Sequence, residues 1–385
     1  MRHTIALVIA IAGCCIAPQF TTPSWSQTAT SCGSPIDADG GGWASTSLAE
    51  AALDATKLCA LNEKLEKSPN WNVHAVLIVR GNRLVYETYR AGEDRRWGTK
   101  LGVVSYTSEM QHDVRSISKS VVSLLVGIAL DRKLIASIDE PVFSFFPEYA
   151  ALRTPESDEI QLRHLLTMTS GIAWKEALLW TDPRNTERLM GESSEPYRYV
   201  LEQKLEREPG TNWEYNGGNT MLLSAVLQKT TGKCLFEFAK EALFAPLGIT
   251  NVSWTNLDAS GEPAAHGGLR LRPRDMAKIG QLMLNRGKWN GRQIVPEKWI
   301  DDSTQPLNDA SSSYHYGYQW WVGDSKIGER YVNWIAGWGL GGQRIYVVPE
   351  YDLVVVITSG MYSQDNQDSI VLYIFEKYVL AGVVD

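Results

Sequence analysis

One apolar stretch, residues 113–134 (DVRSISKSVVSLLVGIALDRKL), limits what the rest of the chain can fold into. If this stretch is placed on a helix, apolar residues occupy nearly every face. A helix that is apolar all round is a buried one, so the pattern predicts a central helix with the other elements packed around it. Its first turn nevertheless carries two polar residues, Ser116 and Lys119.

Ser116 and Lys119 are three residues apart, so the hydroxyl and the amine share one helix face and can touch. The start of a helix favours developing negative charge, and its free N–H groups can bind an oxyanion. Lys119 is then a candidate proton acceptor, provided that burial lowers its pKa by roughly three units from its usual value of about 10.4. The alternative is a serine that caps the helix beside a solvated lysine, because S-x-x-K alone is a weak motif.

The composition predicts a well-cored soluble globule. The chain has 385 residues, of which 44% are hydrophobic and 21% are charged. That length fits one large domain or two intimate subdomains. The net charge of −7 and the lack of a basic stripe argue against nucleic acid as a partner.

Residues 1–26 are predicted to be a signal peptide. The apolar run Ile5–Ala17 is too short to span a bilayer, and Ser24–Ser26 offers a small-x-small cleavage site. We therefore expect export to the periplasm or outside the cell. The surroundings of Cys14 also resemble a lipobox, which makes a lipoprotein the less favoured alternative. No later stretch reaches transmembrane length, so the mature chain is expected to lack a membrane span.

Residues 27–47 are rich in small and polar residues and are predicted to be a flexible lead-in, followed by a single domain over residues 48–385. In an oxidising compartment Cys32 and Cys59 could form a disulfide. The alternative is three unpaired thiols, counting Cys234.

The order of predicted elements indicates an α/β (α+β) fold. A β-hairpin is predicted over residues 73–89, around Gly81-Asn82. From residue 136 to about 265 the pattern is mostly helical, with a long surface loop over residues 180–197. Strands return at residues 316–322, 331–335, 344–348 and 353–358, and a helix ends the chain. Strands at both ends predict one antiparallel sheet built from both termini, flanked by helices, with a helical region inserted.

Common site motifs are missing from the sequence. No histidine pair has a short metal-ligand spacing, so a zinc site is not predicted. There is no G-x-S-x-G elbow and no phosphate-binding glycine loop, and the sequence suggests no cofactor.

Two further stretches are candidates for a site. Tyr215 lies on a glycine-rich loop just before a predicted helix, where it is either functional or a packing residue. Residues 336–343 (AGWGLGGQ) place four glycines in a strand region. Such a strand is weakened unless another backbone or a ligand must approach it closely.

These three features occur in one order: S-x-x-K on a buried helix, a tyrosine loop about a hundred residues later, and a glycine-bearing strand near the C-terminus. That order resembles the penicillin-recognising serine hydrolases, which include class C β-lactamases, DD-peptidases and related esterases. The phrases RHLLTMTSG, APLGI, RPRDMAKIG and GGQRIYVVP are similar to the branch that contains 6-aminohexanoate-dimer hydrolase and family VIII carboxylesterases. The resemblance covers roughly residues 70–380 and implies a β-lactamase/transpeptidase-like fold.

The resemblance also implies roles. Ser116 would be the acylated nucleophile and Lys119 would accept its proton. Tyr215 would relay protons to the leaving group and later activate water. The backbone N–H groups of Ser116 and Leu340 would form the oxyanion hole. No metal is implied.

The sequence departs from the family pattern in two boxes. Gly217 stands where the tyrosine box has an asparagine, and Asn216 and Asn219 are the neighbours that could replace it. The third box reads Gly337-Trp338-Gly339, without the cation or imidazole that helps to hold a β-lactam's carboxylate. Both departures disfavour antibiotic hydrolysis and favour a neutral or bulky acyl substrate.

Substrate-pocket residues are less well defined by the sequence. The candidates lie in the boxes or in loops expected to border them: Trp174, Asn216, His266, Trp320, Trp321 and Trp338. Each is also a plausible core residue, because tryptophan buries a large apolar area.

We therefore expect a serine hydrolase that cleaves an ester, a linear amide or a short peptide-like molecule through an acyl-enzyme. One alternative is a DD-peptidase or class C β-lactamase-like penicillin-binding enzyme. Another is a non-catalytic envelope binder with the same fold, which would not need all three polar residues. The sequence does not predict the oligomeric state.

Overall fold

The computed structural model describes residues 32–33 and 42–384. The predicted signal peptide, Cys14 and most of the predicted lead-in lie outside the described residues. Within the described part, no helix is long and apolar enough to cross a membrane. Residues 42–47 belong to the fold: Trp43 is 4% exposed, and its indole N–H donates a 3.2 Å hydrogen bond to the Arg274 carbonyl. For these residues the prediction of a flexible lead-in is wrong.

The strands of the described chain fall into an N-terminal group, a short middle group and a C-terminal group. They are β1 (Ala44–Ser45), β2 (Val73–Arg80), β3 (Arg83–Tyr89), β4 (Ala91–Arg96), β5 (Thr99–Ser105), β6 (His112–Asp113), β7 (Val252–Trp254), β8 (Leu269–Leu271), β9 (Lys288–Trp289), β10 (Arg292–Gln293), β11 (Asn308–Asp309), β12 (Tyr314–Tyr316), β13 (Trp321–Ile327), β14 (Arg330–Gly339), β15 (Gln343–Val348) and β16 (Leu353–Ser359).

The main sheet joins the two ends of the chain. Its order is β1-β3-β2-β16-β15-β14-β13-β12-β11, nine strands within the described residues. Every neighbouring pair is antiparallel except β1 with β3. The predicted hairpin is β2–β3, and β2 pairs along its length with β16. The prediction of one sheet built from both termini is confirmed.

Helices lie between and around these strands. They are α1 (Ala55–Lys67), α2 (Ile117–Asp131), α3 (Leu162–Leu166), α4 (Thr186–Glu192), α5 (Pro196–Leu201), α6 (Gly217–Thr231), α7 (Leu235–Ala239), α8 (Pro273–Leu284), α9 (Glu297–Ser303) and α10 (Gln367–Ile374). Two π-helical turns, Lys240–Phe244 and Phe375–Val379, continue α7 and α10. The predicted helical region, residues 136–265, holds α3 to α7 and the short strand β7.

Hydrophobic residues cover both faces of the sheet. On one face α2 and α8 pack against alternate side chains such as Leu77, Ile345 and Val356. On the other face α1 and α10 cover the intervening side chains, such as Ile78 and Val355. This alternation follows from the two-residue period of a strand. Helix α2 is buried along nearly all of its length, as its all-round apolar sequence predicts.

One loop prediction is wrong. Residues 180–197 were expected to be irregular, but they contain α4 and the start of α5. Asn185 caps α4 by accepting a 2.9 Å hydrogen bond from the Arg188 N–H, and Pro196 opens α5 at a position that needs no backbone donor. Helices this short draw their stability from packing, so their sequence pattern is weak.

Cys32 and Cys59 form a disulfide that ties an N-terminal segment to α1. The backbone N–H of Glu87 donates a 2.7 Å hydrogen bond to the Gly33 carbonyl, so the same segment also lies against β3. Of the two alternatives left open by the sequence, the structure has the disulfide. Cys234 is free and exposed.

Candidate active site

The chain enters α2 through a strained turn. Asp113, at the end of β6, accepts a 2.7 Å hydrogen bond from the Trp97 N–H and pairs with Arg270. Arg115 follows with φ +52°, in the left-handed region. For a residue other than glycine this conformation costs about 1–3 kcal/mol, and it is commonly found at functional sites. It places Ser116 at the N-cap of α2.

Ser116 and Lys119 touch at the start of α2, as their spacing predicts. The Lys119 ammonium donates a 3.1 Å hydrogen bond to Ser116 Oγ and a 2.9 Å hydrogen bond to the His266 carbonyl. Lys119 is 1% exposed, and the Ser116 side chain makes no capping hydrogen bond. The alternative of a capping serine beside a solvated lysine is therefore wrong.

Tyr215 reaches the same point from the loop before α6. Its ring centroid lies 4.7 Å from Lys119 Nζ. Both Ser116 and Lys119 lie close enough to the Tyr215 hydroxyl to lower its pKa. The structure thus brings together the three residues that the sequence singled out, although they come from two helix starts about a hundred residues apart.

The charge state of Lys119 differs from the sequence-based expectation. Burial lowers its pKa, but Tyr215, Glu176 and Glu187 raise it, and the resulting pKa lies above the ordinary lysine value. The expected fall of about three units is therefore wrong for the free protein. Burial raises the pKa of Tyr215, and Lys119 lowers it only in part. At neutral pH the resting site holds an ammonium beside a neutral phenol.

Two glutamates that the sequence analysis missed lie beside this trio. Glu176 Oε2 accepts a 2.5 Å hydrogen bond from the Gly217 N–H and a 2.7 Å hydrogen bond from the Trp174 indole. Burial and the charge of Glu187 raise the pKa of Glu176 to about 7, against the opposing effect of Lys119.

Glu187, in α4, is held through His266. Its carboxylate Oε1 lies 3.2 Å from His266 Nε2, and its side chain is 24% exposed. Burial raises the pKa of Glu187, but the hydrogen bond and charge of His266 act in the opposite direction. The resulting pKa lies below the ordinary value for a glutamate. His266 therefore contacts Glu187 through its ring and Lys119 through its carbonyl. No sequence spacing links these residues, because Glu187 lies in the segment predicted to be loop.

The substituted tyrosine box has a structural explanation. A Cβ on Gly217 would lie 3.1 Å from Glu176 Oε2 and 3.4 Å from His266 Cβ, so the space an asparagine needs is filled. Asn216 does not replace it. Asn216 is 1% exposed, and its Oδ1 accepts a 3.2 Å hydrogen bond from the Asn219 N–H as the cap of α6. A contact between Asn216 and substrate stays a prediction.

The glycine-bearing strand β14 approaches the start of α2 closely. A Cβ on Gly339 would lie 2.2 Å from the Val114 carbonyl oxygen, and one on Gly337 would lie 3.4 Å from Ile117 Cγ2. This confirms that the glycines permit another backbone to pass. Leu340 follows Gly339 directly, and neither its N–H nor that of Ser116 donates a hydrogen bond to another described residue. Their role as an oxyanion hole stays a prediction.

The tryptophan candidates have different surroundings. Trp320 is 0% exposed, and Trp174 is 3% exposed with its indole N–H on Glu176, so both are buried here and their contact with substrate stays a prediction. Trp338 points to the face of the sheet opposite α2, the face on which it stacks 4.6 Å from Trp321. Trp321 is partly exposed and is stacked 6.0 Å from Tyr215, so a contact between Trp321 and substrate stays a prediction.

His266 is 2% exposed, and its ring Nδ1 has no hydrogen-bond partner among the described residues. It contributes to the site through Lys119 and Glu187 and not through an exposed surface. Its predicted contact with substrate stays a prediction.

Comparison with known proteins agrees with this geometry. The family model described as Beta-lactamase matches residues 71–374. The chain belongs to the beta-lactamase family. It is a serine hydrolase of that family, and the predicted resemblance is confirmed. The 6-aminohexanoate-dimer hydrolase of Paenarthrobacter ureafaciens is 25% identical over 335 residues, covering 81% of this chain and 78% of that protein.

Solved structures share the fold. EstCE1, a hydrolase with promiscuous acyltransferase activity, matches with a TM-score of 0.64 and 17% identity, over 84% of this chain and 99% of that chain. A penicillin-binding protein from Bacillus halodurans matches with a TM-score of 0.61 and 16% identity, over 82% and 100%. At these identities the likeness establishes the β-lactamase/transpeptidase-like fold.

Proposed function

We propose that this serine hydrolase cleaves esters or linear amides through an acyl-enzyme on Ser116. The observation that carries the proposal is the 3.1 Å hydrogen bond from buried Lys119 to Ser116 Oγ, with Tyr215 against both. A binder that had kept only the fold would have no need of this polar trio with its buried lysine. The nucleophile, the proton carriers and two unpartnered backbone N–H groups are the parts that acyl transfer requires.

The charge states of Lys119 and Tyr215 determine how the Ser116 proton reaches the leaving group. Because Lys119 holds its proton, the reactive form of the site is the one in which the Tyr215 phenol has given its proton to solvent, and the Lys119 ammonium stabilises the phenolate. Ser116 Oγ then attacks the acyl carbon and its proton passes to Tyr215. Tyr215 returns that proton to the leaving alcohol or amine. Water enters by the same route, deacylates Ser116, and restores the resting site.

The test is hydrolysis of p-nitrophenyl butyrate by the wild-type chain and three variants. Ser116→Ala is expected to be inactive, and Tyr215→Phe is expected to lose at least about 100-fold in kcat. The matched control is Ser123→Ala, in the same helix, whose buried hydroxyl has no partner in the described chain. Its activity should stay near that of the wild type. Equal activity in the wild type and Ser116→Ala overturns the proposal.

Two glutamates, Glu176 and Glu187, make one side of the site acidic, and this affects which substrates it favours. Glu176 and Glu187 disfavour a substrate carboxylate near Lys119, which is the group that a penicillin-binding enzyme must hold. They favour neutral acyl esters or a linear amide that carries an amino group, as the name of the Paenarthrobacter relative describes for that protein. Comparing 6-aminohexanoyl p-nitroanilide with hexanoyl p-nitroanilide tests this. A preference for the amino form that disappears in Glu187→Gln supports it, and equal rates contradict it.

We also propose that the protein is exported. The Cys32–Cys59 disulfide supports this, because disulfides persist in oxidising compartments. N-terminal sequencing of protein recovered from the periplasm or medium should give a start near residue 27. A start at Met1 in the cytoplasm contradicts the proposal, whereas a lipid on Cys14 would show export as a lipoprotein and contradict only the cleavage near residue 27.

A further inference from the structure

Three buried side chains with metal-ligand atoms converge at a point separate from the Ser116 site. They are His74 on β2, Asp94 on β4 and His112 on β6, with exposures of 0%, 3% and 0%. One ligand atom from each lies within 4.8 Å of the others. The residues are 20 and 18 positions apart, so no sequence motif indicated a metal site here.

The hydrogen bonds around His74 fix its tautomer. Asn72 Nδ2 donates a 2.7 Å hydrogen bond to the Glu93 carbonyl, which turns Asn72 Oδ1 towards the imidazole. His74 Nε2 lies 3.2 Å from that oxygen. An amide oxygen only accepts, so Nε2 carries the proton and Nδ1 of His74 is left with a lone pair.

The hydrogen bonds around His112 fix its tautomer as well. Its Nδ1 lies 3.0 Å from the Asp113 carbonyl, which also only accepts. Nε2 of His112 is therefore the bare nitrogen, and it lies 2.9 Å from Nδ1 of His74. Two lone pairs face each other across this distance, without a hydrogen between them in the neutral tautomers.

Asp94 adds a third acceptor. Its Oδ2 accepts a hydrogen bond from the Tyr106 hydroxyl, but its Oδ1 is buried without a hydrogen-bond donor among the described residues. That Oδ1 lies 3.6 Å from His112 Nε2. Three acceptor atoms thus face one another.

We propose that His74 Nδ1, His112 Nε2 and Asp94 Oδ1 bind one divalent transition-metal ion of the Zn²⁺ type. Two neutral imidazoles and a carboxylate are a donor set that Zn²⁺, Co²⁺ and Ni²⁺ accept. Each imidazole is also held in the orientation that metal binding needs, since its other N–H donates to a carbonyl oxygen, that of the Asn72 side chain for His74 and that of the Asp113 backbone for His112. Two nitrogens on a tetrahedral zinc lie about 3.3 Å apart, so the imidazoles need to separate by only a few tenths of an ångström.

The backbone around the site is fitted to the imidazole of His74. Cβ atoms on Gly92 and Gly360 would lie 2.6 Å and 2.8 Å from the His74 ring, so two glycines are needed where the imidazole sits. A cleft of about 320 Å³ lies beside the site and is lined by Asp94, Tyr362 and neighbouring residues.

The position of the site indicates a structural role. His112 lies four residues before Ser116, in the strand that pairs with β8 and leads through Arg115 into α2. An ion that joins β2, β4 and β6 would hold this approach to the nucleophile in place. It would take no part in acyl transfer.

The test measures metal binding directly. The mature protein is first stripped of metal with a chelator. It is then titrated with Zn²⁺ by calorimetry and with Co²⁺ by visible absorption, and its Tm is recorded with and without Zn²⁺. The wild type is expected to bind about one equivalent and to gain Tm. Asp94→Asn, which keeps the shape of the side chain, is expected to weaken binding by at least about 100-fold. His112→Ala is the second ligand variant.

The matched control is His315→Ala, which removes an exposed histidine that contacts Asp309. It should bind like the wild type. The proposal is overturned if the wild type takes up none of Zn²⁺, Co²⁺ and Ni²⁺. In that case a shared proton, and not a metal ion, joins the three acceptors. It is also overturned if Asp94→Asn binds as tightly as the wild type, or if His315→Ala removes the binding.

Discussion

Replacing Gly339 by alanine should disable the site without unfolding the protein. The new Cβ would lie 2.2 Å from the Val114 carbonyl oxygen and 3.1 Å from Arg115 Cβ. A carbon–oxygen contact needs about 3.3 Å, so the strand or the segment before Ser116 must move by about 1 Å. Leu340, the predicted second oxyanion donor, moves with the strand.

A misplacement of about 1 Å can cost about 100-fold in rate, or about 2.7 kcal/mol of transition-state stabilisation. The loss should appear in kcat/KM for p-nitrophenyl butyrate. Overpacking of this kind also costs about 1–3 kcal/mol of unfolding free energy, which a urea titration measures.

Gly337→Ala is the matched control for this prediction. It adds the same methyl group two residues earlier on the same strand, where the nearest atom is Ile117 Cγ2 at 3.4 Å. We expect kcat/KM within about threefold of the wild type, because small shifts of a side chain relieve that contact. Full activity in Gly339→Ala, or equal damage in both variants, would refute the close-approach reasoning.

Two further predictions follow from charge and covalent structure. Because the pKa values of Lys119 and Tyr215 both lie above their ordinary values, kcat/KM should rise with pH through the alkaline range, and Glu187→Gln should move that rise to lower pH. A pH–rate profile that Glu187→Gln leaves unchanged contradicts this. Cys59→Ser opens a 27-residue loop and should lower the unfolding free energy in urea by about 3 kcal/mol. Cys234→Ser removes an exposed free thiol and should change little; equal stability of the two variants counts against a constraining disulfide.

The elements with strong local patterns could be predicted from the sequence. Helix α2 is apolar on all faces, and the β2–β3 hairpin has a Gly-Asn turn between two β-branched runs. Both are set by residues close in sequence, and the glycines of residues 336–343 correctly indicated a close backbone approach. Short helices such as α4 could not be predicted, because contacts with distant residues stabilise them.

The directions of side chains and the charges at the site depend on long-range packing. Trp338 was expected near the site, but the register of β14 turns it to the other face of the sheet. Glu176 and Glu187 raise the pKa of Lys119, yet neither has a sequence spacing that connects it with α2. The pKa of Lys119 was therefore predicted in the wrong direction, because its acidic neighbours outweigh burial.

The site of the covalent intermediate tests the central claim most directly. The mature protein and its Ser116→Ala variant would be treated with an alkyl fluorophosphonate, followed by intact mass and peptide mapping. We expect one adduct in the wild type, located on Ser116, and no adduct in the variant. An adduct on another residue, or equal labelling of both proteins, would contradict the assignment of Ser116 as the nucleophile.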